Sequence, residues 1–268
     1  SRMTALGIAA LYGRADVIAV LAAAGADVKA DQDGESALAV AAREGHVAAL
    51  DALIKAGADV NVQDRNGITP LMASALGGNA AVTRLLLDRK ADPQADDNNG
   101  LSALVYAASS GQDEVVKVLQ QSGVKKGQDL ALAYAVRSCR VPLARTLVTA
   151  GAPLTADLEG DHLLILAAGA NCPDAITLLL SRGMNVNLQA EDGMTALMRA
   201  AGDGFADIVS LLLSKGGDME LKNRNEQSAW LFAAMASHED VVELLRADRE
   251  ARAKKAAARQ GKPAAPKK

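Results

Sequence analysis

Short apolar runs recur in pairs along the chain. A run such as TALGIAA, which starts at Thr4, is followed ten to twenty residues after its start by a second run, such as DVIAVL from Asp16. In both runs the apolar residues are spaced i, i+3 and i+4, which is the spacing of one face of an α-helix. Each pair of runs therefore predicts two short antiparallel helices.

The first run of the pair recurs eight times, at spacings of 32, 33, 33, 28, 32, 33 and 33 residues. Serine or threonine opens six of the eight runs, and their side-chain oxygens can accept hydrogen bonds from the free N–H groups at a helix start. Repeats of this length stack and bury their apolar faces against their neighbours. We therefore predict an all-α repeat solenoid over residues 4–245, with eight repeats opening at Thr4, Ser36, Thr69, Ser102, Leu130, His162, Thr195 and Ser228.

Two recurrent glycine positions predict where the helices end. The turn position lies nine residues after the opening residue, and it is glycine in five repeats but Cys139, Asn171 or Ser237 in the others. The repeat-end position lies 21 residues after the opening residue and is glycine in six repeats, whereas the third repeat has Lys90 there. Because glycine ends a helix in a left-handed conformation that side chains resist, we expect Lys90 to be strained.

The repeat resembles the ankyrin repeat, a unit of about 33 residues with a β-turn, two helices and a T-P-L-H-x-A start. The resemblance is carried by Thr69-Pro70-Leu71, by DRNG at 64–67 and by GADVN at 57–61. It implies stacked helix-turn-helix repeats with β-hairpin loops and a concave face that binds proteins. The loop before Leu130 departs from the pattern because it is five residues short, which predicts an irregular fifth repeat.

Composition excludes several classes of protein. Aromatic residues are 2 % of the chain although apolar residues are 50 %, which argues against a sandwich or barrel core. No apolar run approaches the ~18 residues of a membrane span. Residues 246–268 carry nine Lys/Arg and two Asp/Glu, a net charge of +7, so residues 1–245 carry −3 − 7 = −10. We predict that 246–268 form a basic C-terminal helix extension and a flexible tail, and that neither nucleic acid nor membrane is the partner.

Histidines and known motifs give no support to catalysis. His46 and His238 both lie one residue after the turn position, where the family commonly has a structural histidine, and His162 opens the sixth repeat. The sequence contains no HExxH, GxSxG, CxxC or phosphate-binding loop. We therefore expect no enzyme activity, no metal and no cofactor.

Cys139 and Cys172 lie 33 residues apart, on the inter-helix turns of adjacent repeats. Adjacent helical layers stand ~10 Å apart, whereas a disulfide requires Cα atoms within ~7 Å. A disulfide therefore requires a local approach, and the sequence leaves two interpretations, a disulfide or two thiols. A disulfide would place the protein outside the reducing cytoplasm.

Candidate binding residues stand at the hairpin tips and at the ends of the first helices, where the family presents its recognition surface. Several are apolar or aromatic at positions that a spacer would fill with polar residues. Tyr106 occupies a position that usually belongs to the core, and we interpret it mainly in that way. The predicted protein-binding residues are Tyr12, Arg43, Glu44, Arg65, Asn66, Ile68, Leu76, Asn98, Asn99, Leu101 and Met194.

The resemblance implies a non-catalytic protein-interaction module that is a monomer when alone. The alanine-rich repeats and the candidate disulfide further resemble the periplasmic ankyrin proteins with which predatory bacteria protect themselves. That likeness implies a partner among the cell's own secreted peptidoglycan endopeptidases and a periplasmic or secreted location. The alternative is an intracellular scaffold or effector that organises a protein complex in the cytoplasm.

Overall fold

The computed structural model describes residues 4–29, 31–32 and 35–260. Within this part of the chain sixteen helices follow one another as eight pairs, which confirms the predicted all-α repeat solenoid. The pairs are α1 (Ala5–Leu11) with α2 (Ala15–Ala23), α3 (Ala37–Glu44) with α4 (Val47–Lys55), α5 (Pro70–Gly77) with α6 (Ala80–Asp88), α7 (Ala103–Ser109) with α8 (Asp113–Gln121), α9 (Gln128–Arg137) with α10 (Val141–Thr149), α11 (Leu163–Gly169) with α12 (Pro173–Ser181), α13 (Ala196–Gly202) with α14 (Ala206–Ser214), and α15 (Ala229–Met235) with α16 (Glu239–Gln260).

Two short antiparallel hairpins connect some of these pairs. β1 (Asp31–Gln32) pairs with β2 (Glu35–Ser36), and β3 (Asp157–Leu158) pairs with β4 (Asp161–His162). The connections at 64–68 and 97–101 have the same form, closed by a hydrogen bond between the backbone groups of their first and last residues. These loops are the hairpins that the repeat pattern predicts.

The chain divides into two compact units, and the fifth helix pair is shared between them. The first unit comprises Ser1–Ala135 and Pro142–Pro153, and the second comprises Val136–Val141 and Leu154–Lys268. In the first unit α1, α3, α5 and α7 pack side by side, and α2, α4, α6 and α8 form a second row. In the second unit α11, α13 and α15 form one row and α12, α14 and α16 the other.

Small and branched aliphatic residues build the core of each unit. The third residue of the opening run is a buried leucine in most repeats, including Leu38 and Leu104 in the first unit and Leu164 and Leu197 in the second. Buried alanines between them let the helices approach closely, and each layer removes apolar surface from water only against its neighbours. This explains how the chain folds with so few aromatic residues.

Helix starts agree only partly with the predicted caps. The side chains of Thr4, Ser36, Thr69 and Thr195 accept a hydrogen bond from the backbone N–H three residues later. Ser102 and Ser228 open their helices without such a bond. In place of a cap, the hydroxyl of Ser102 donates to the carbonyl of Lys126, 3.4 Å away, in the shortened loop of the fifth repeat.

The first helix of the fifth repeat begins earlier than expected. α9 begins at Gln128, two residues before the expected opening residue Leu130, because the short loop turns tightly at Gly127. α16 runs without interruption through residue 246 to Gln260, so the described part of the predicted basic extension is helical. The part of the predicted tail after Gln260 lies outside the described residues.

Candidate protein-binding groove and the disulfide turn

A groove of about 510 Å³ opens on the first helices and hairpin tips of the second, third and fourth repeats, all within the first unit. Its apolar wall is made by Ile68, Met72 and Leu76, and the side chain of Leu76 is 46 % exposed. Polar side chains complete the lining. The full lining is Glu35, Arg43, Asp64, Asn66, Ile68, Met72, Ala73, Leu76, Asp97, Asn99 and Tyr106.

Two aspartates fix the hairpin tips that border the groove. Asp64 Oδ1 accepts hydrogen bonds of 2.8 Å from the backbone N–H groups of Asn66 and Ile68. Asp97 Oδ1 accepts the equivalent bonds from Asn99 and Leu101, at 2.9 and 2.7 Å. Short aspartate side chains suit this local capping. The tips are therefore held in one conformation before any partner binds.

Tyr106 joins the floor of the groove to the second of these tips. Its hydroxyl donates a hydrogen bond of 2.8 Å to Asp97 Oδ2. Burial, and next the bond to this carboxylate, raises the pKa of Tyr106 to about 12. Burial alone would raise the pKa of Asp97, but bonds from the Leu101 amide, Tyr106 and Asn99 lower it. At neutral pH the Tyr106 hydroxyl therefore stays protonated and the Asp97 carboxyl stays ionised. The hydrogen bond between them holds the tyrosine ring in place.

Arg43 at the other end of the groove is already engaged. Its guanidinium pairs with Glu35 at 2.6 Å and with Glu44 at 3.3 Å. The lining therefore has three carboxylates, of Glu35, Asp64 and Asp97, against one guanidinium. The electrostatic character of the groove is acidic.

Five of the eleven predicted binding residues line this groove, namely Arg43, Asn66, Ile68, Leu76 and Asn99. The other six stand elsewhere. Tyr12 is 70 % exposed at the end of α1. The Arg65 carbonyl accepts a bond from the Asn98 side chain, and Leu101 is half-buried in its hairpin. Glu44 pairs with Arg43, and Met194 is half-buried in the second unit.

Tyr106, which we interpret mainly as a core residue and do not include among the predicted binding residues, is half-buried and lines the groove. Glu35, Asp64, Met72 and Asp97 are also additional lining residues. The sequence feature that could have indicated Tyr106 is its hydroxyl group. A buried tyrosine hydroxyl needs a partner, and the aspartate at the preceding hairpin could supply one.

The second unit has a smaller cleft of about 240 Å³ on its first helices and hairpin tips. Leu158, Ile165 and Leu166 line it together with charged residues. Arg137 pairs with Glu159 at 3.4 Å across this cleft. Its lining is Arg137, Leu158, Glu159, Asp161, Ile165, Leu166, Gly169, Ala170 and Arg199.

A disulfide joins Cys139 and Cys172, with Cα atoms 5.6 Å apart, and both residues belong to the second unit. Cys139 occupies a turn position and has φ 51°, whereas Cys172 lies one residue after the next turn position and is buried. Elsewhere in both units, too, the turn position of one repeat lies close to the residue that follows the turn position of the next repeat. A Cβ added at Gly13 would lie 2.7 Å from His46 Nδ1, and one at Gly204 would lie 2.6 Å from His238 Cε1. Stacking thus brings these two positions together.

The three histidines make structural bonds. His46 Nε2 lies 3.0 Å from the carbonyl oxygen of Leu11, and His238 Nε2 lies 3.1 Å from that of Gly202. His162 Nε2 lies 2.9 Å from the Leu188 carbonyl oxygen, and burial lowers the pKa of His162. Within the described ranges no group of three or more His, Cys, Asp or Glu residues could hold a metal ion. None of the described helices is long and apolar enough to cross a membrane.

The fold is a repeat solenoid that carries a groove, and sequence comparison names its family. Residues 1–64, 56–129 and 164–256 match the family described as ankyrin repeats in three copies. The chain belongs to the ankyrin repeat family, whose members are generally protein–protein interaction modules. Residues 130–163, which contain most of the irregular fifth repeat, fall between the matched stretches.

Comparison with solved structures agrees on the fold. The human ASB11 ankyrin repeat domain is 28 % identical, with a TM-score of 0.73, and the match covers 81 % of this chain and 99 % of that one. In all, 526 solved chains match, so structural likeness identifies the fold and leaves the partner open. The comparison with curated proteins finds no match.

Proposed function

We propose that this protein is a non-catalytic binding module that takes a segment of a protein partner into the groove of its first unit. The carrying observation is the convergence of Ile68, Leu76 and Tyr106 in one groove with rigid polar tips. Half-exposed apolar side chains beside fixed hydrogen-bonding groups are the usual anatomy of a binding hot spot. Because the tips are already ordered, association loses little conformational entropy there.

A narrower proposal concerns the partner and the compartment. We propose that the partner is a secreted peptidoglycan endopeptidase of the same cell and that binding inhibits it. The disulfide supports a location in the periplasm or outside the cell, because disulfides persist in oxidising compartments. The protein would act there as a monomer that protects its own cell. The alternative, an intracellular scaffold, is favoured if both cysteines are reduced in the protein isolated from cells.

The test pairs binding with inhibition. The purified protein is titrated with the cell's own secreted peptidoglycan endopeptidase, and the affinity and the rate of peptidoglycan cleavage are measured. We expect tight binding, loss of cleavage, and at least tenfold weaker binding for the double variant Ile68→Asp with Leu76→Asp. Two buried apolar contacts are worth more than the ~1.4 kcal/mol that a factor of ten represents.

Val20→Asp is the matched control, because Val20 is 68 % exposed on α2 and does not line the groove. Circular dichroism verifies that all variants keep their helical content. Equal affinity of the wild type and the double variant would refute the groove as the binding site. A groove-dependent complex with a cytoplasmic protein, combined with no affinity for the endopeptidase, would replace the narrower proposal by the scaffold.

A further inference from the structure

We infer that the groove of the first unit recognises a cationic side chain, arginine or lysine, in an extended segment of the partner. This inference rests on the proposed function, because it assumes that the groove binds protein. It adds the chemistry of the residue that is bound. The observations that carry it are the charge balance of the groove, the state of each carboxylate and the apolar wall beside them.

Charge in the groove is not balanced internally. Arg43, the one cation in the lining, pairs with Glu35 and with Glu44, which lies outside the lining. Asp97 accepts from Tyr106 and from two backbone amides. Asp64 accepts its two backbone bonds through Oδ1 alone. Within the described part of the chain, the second oxygens of Asp64 and Glu35 accept no hydrogen bond, and of these two carboxylates only that of Asp64 is not paired with a cation.

The apolar wall favours a long side chain with a charged end. Ile68 and Leu76 can pack against methylene groups, while the carboxylate of Asp64 meets the charge at the end of the bound side chain. Lysine and arginine have this form, an apolar stem that is buried and a cationic head that stays polar. Tyr106 adds an aromatic ring, which attracts cations. The charge of Asp64 contributes to the raised pKa of Tyr106, so the carboxylate and the phenol act on each other.

Other side chains fit less well. An acidic side chain would be repelled by the carboxylates, and a wholly apolar one would remove water from Asp64 without replacing its hydrogen bonds, which is unfavourable. The net charge of the first unit favours the same choice, because its residues 1–135 and 142–153 hold thirteen Lys/Arg and sixteen Asp/Glu, and 13 − 16 = −3. An acidic surface accelerates association with basic partners.

Four synthetic octapeptides test the inference. They share the sequence Gly-Ser-Gly-Leu-X-Gly-Ser-Gly, with capped ends, and X is arginine, lysine, norleucine or glutamate. Each is titrated into ¹⁵N-labelled full-length protein in 20 mM NaCl, and chemical shifts are followed. We expect the arginine and lysine peptides to shift the amide signals of Ile68, Leu76 and Tyr106. They should bind at least fivefold more tightly than the norleucine peptide, and the glutamate peptide should bind most weakly.

Asp64→Asn is the decisive variant, because an asparagine Oδ1 can still accept the two backbone bonds while the charge is lost. We expect about fivefold weaker binding of the arginine peptide, which corresponds to ~1 kcal/mol, and equal or tighter binding of the norleucine peptide, because a neutral amide is less costly to desolvate than a carboxylate. Asp59→Asn is the matched control. Asp59 caps the amide of Asn61 at 2.9 Å in the same unit, outside the groove lining. It should change the affinity less than twofold.

Salt separates the two kinds of contact. At 300 mM NaCl, where charges are screened over a few ångströms, the arginine peptide should lose most of its advantage over the norleucine peptide. Equal binding of these two peptides at low salt would overturn the inference. So would equal losses in Asp64→Asn and Asp59→Asn, or the absence of shifts with every peptide. None of these results removes the proposed function, which fails only if Ile68→Asp with Leu76→Asp binds the protein partner normally.

Discussion

The surfaces formed by the first helices and hairpin tips have different chemistry in the two units, although both units use the same repeat. The residue before the opening position is Ile68 in the third repeat and Asp161 in the sixth. Seven residues after the opening position stand Leu76 and Gly169. The first unit therefore has an apolar wall along its groove, whereas the second has a smaller cleft with charged walls. The chemistry of each surface therefore depends on a few register positions that the backbone does not constrain.

The turns between paired helices differ in a similar way. In the first unit the turn glycine Gly13 is covered by the side chain of His46, whose ring also bonds to the preceding repeat. In the second unit the corresponding positions of the fifth and sixth repeats are Cys139 and Cys172, which form a covalent bond. A packing contact common to the repeats thus becomes a cross-link when both of its positions carry a thiol.

The largest expected effect comes from removing this cross-link. Cys139→Ser opens a bridge between residues 33 apart in sequence, and the chain entropy that the unfolded state regains corresponds to a loss of about 4 kcal/mol. Thermal and urea unfolding of the oxidised wild type should give one transition. The variant should melt at a lower temperature or in two transitions, since solenoid stability depends on each neighbour interface.

Cys139→Gly serves as the control for backbone strain. It also removes the bridge, but it relieves the positive φ of residue 139, so we expect it to recover about 1 kcal/mol relative to Cys139→Ser. Thiol titration establishes the redox state of each sample. Identical melting of oxidised protein, reduced protein and Cys139→Ser would show that the bridge contributes nothing to stability.

The second comparison concerns the last residue of a first helix in each unit. Gly77 ends α5, and a Cβ there would overlap the backbone carbonyl of Arg43. Gly202 ends α13, where a Cβ would lie 3.5 Å from Phe232 Cδ1, an ordinary contact. Gly77→Ala should therefore lose about 2 kcal/mol because the backbone must move. Gly202→Ala should gain about 0.5 kcal/mol because it restricts the unfolded chain. Urea titration measures both, and changes of the same sign would contradict the comparison.

Much of the fold could be predicted from the sequence because each repeat confirms the others. The spacing of the apolar runs identified the helix pairs, and the repeat-end glycines identified Lys90 as a residue with positive φ, which is confirmed at 68°. A local signal was less reliable. Ser102 has the residue type of a cap, but the short loop of the fifth repeat offers the Lys126 carbonyl to its hydroxyl.

The site was harder to predict because it depends on contacts between repeats. Leu76 and Ile68 were found because they are apolar where polar residues are expected. Tyr106 was assigned to the core because its register position usually faces inward, and its bond to Asp97 depends on a hairpin nine residues away in sequence. The distance between Cys139 and Cys172 was also hidden, because the mean spacing of the layers does not describe their closest points.

The smallest expected effect compares one repeat-end position in each unit. The Lys90 carbonyl accepts a bond of 3.3 Å from the Asn61 side chain, and the Gly216 carbonyl accepts one of 3.2 Å from Asn187. At both positions φ is positive and the carbonyl accepts from an asparagine side chain of the preceding repeat. A side chain at positive φ is unfavourable by about 1 kcal/mol. Replacing it by glycine also increases the conformational entropy of the unfolded chain, which offsets part of the gain. Lys90→Gly should raise the free energy of unfolding by a few tenths of a kcal/mol.

The reciprocal variant is Gly216→Lys, which should lower the free energy of unfolding by about 1 kcal/mol. The lysine side chain causes no steric clash at its Cβ, because nothing lies within 4 Å of a Cβ at this position. Its cost therefore isolates the backbone conformation, φ 93° at Gly216 against 68° at Lys90. Urea unfolding of the two variants and the wild type measures both signs. A clear loss of stability in Lys90→Gly would mean that the lysine side chain contributes more through its contacts than its conformation costs.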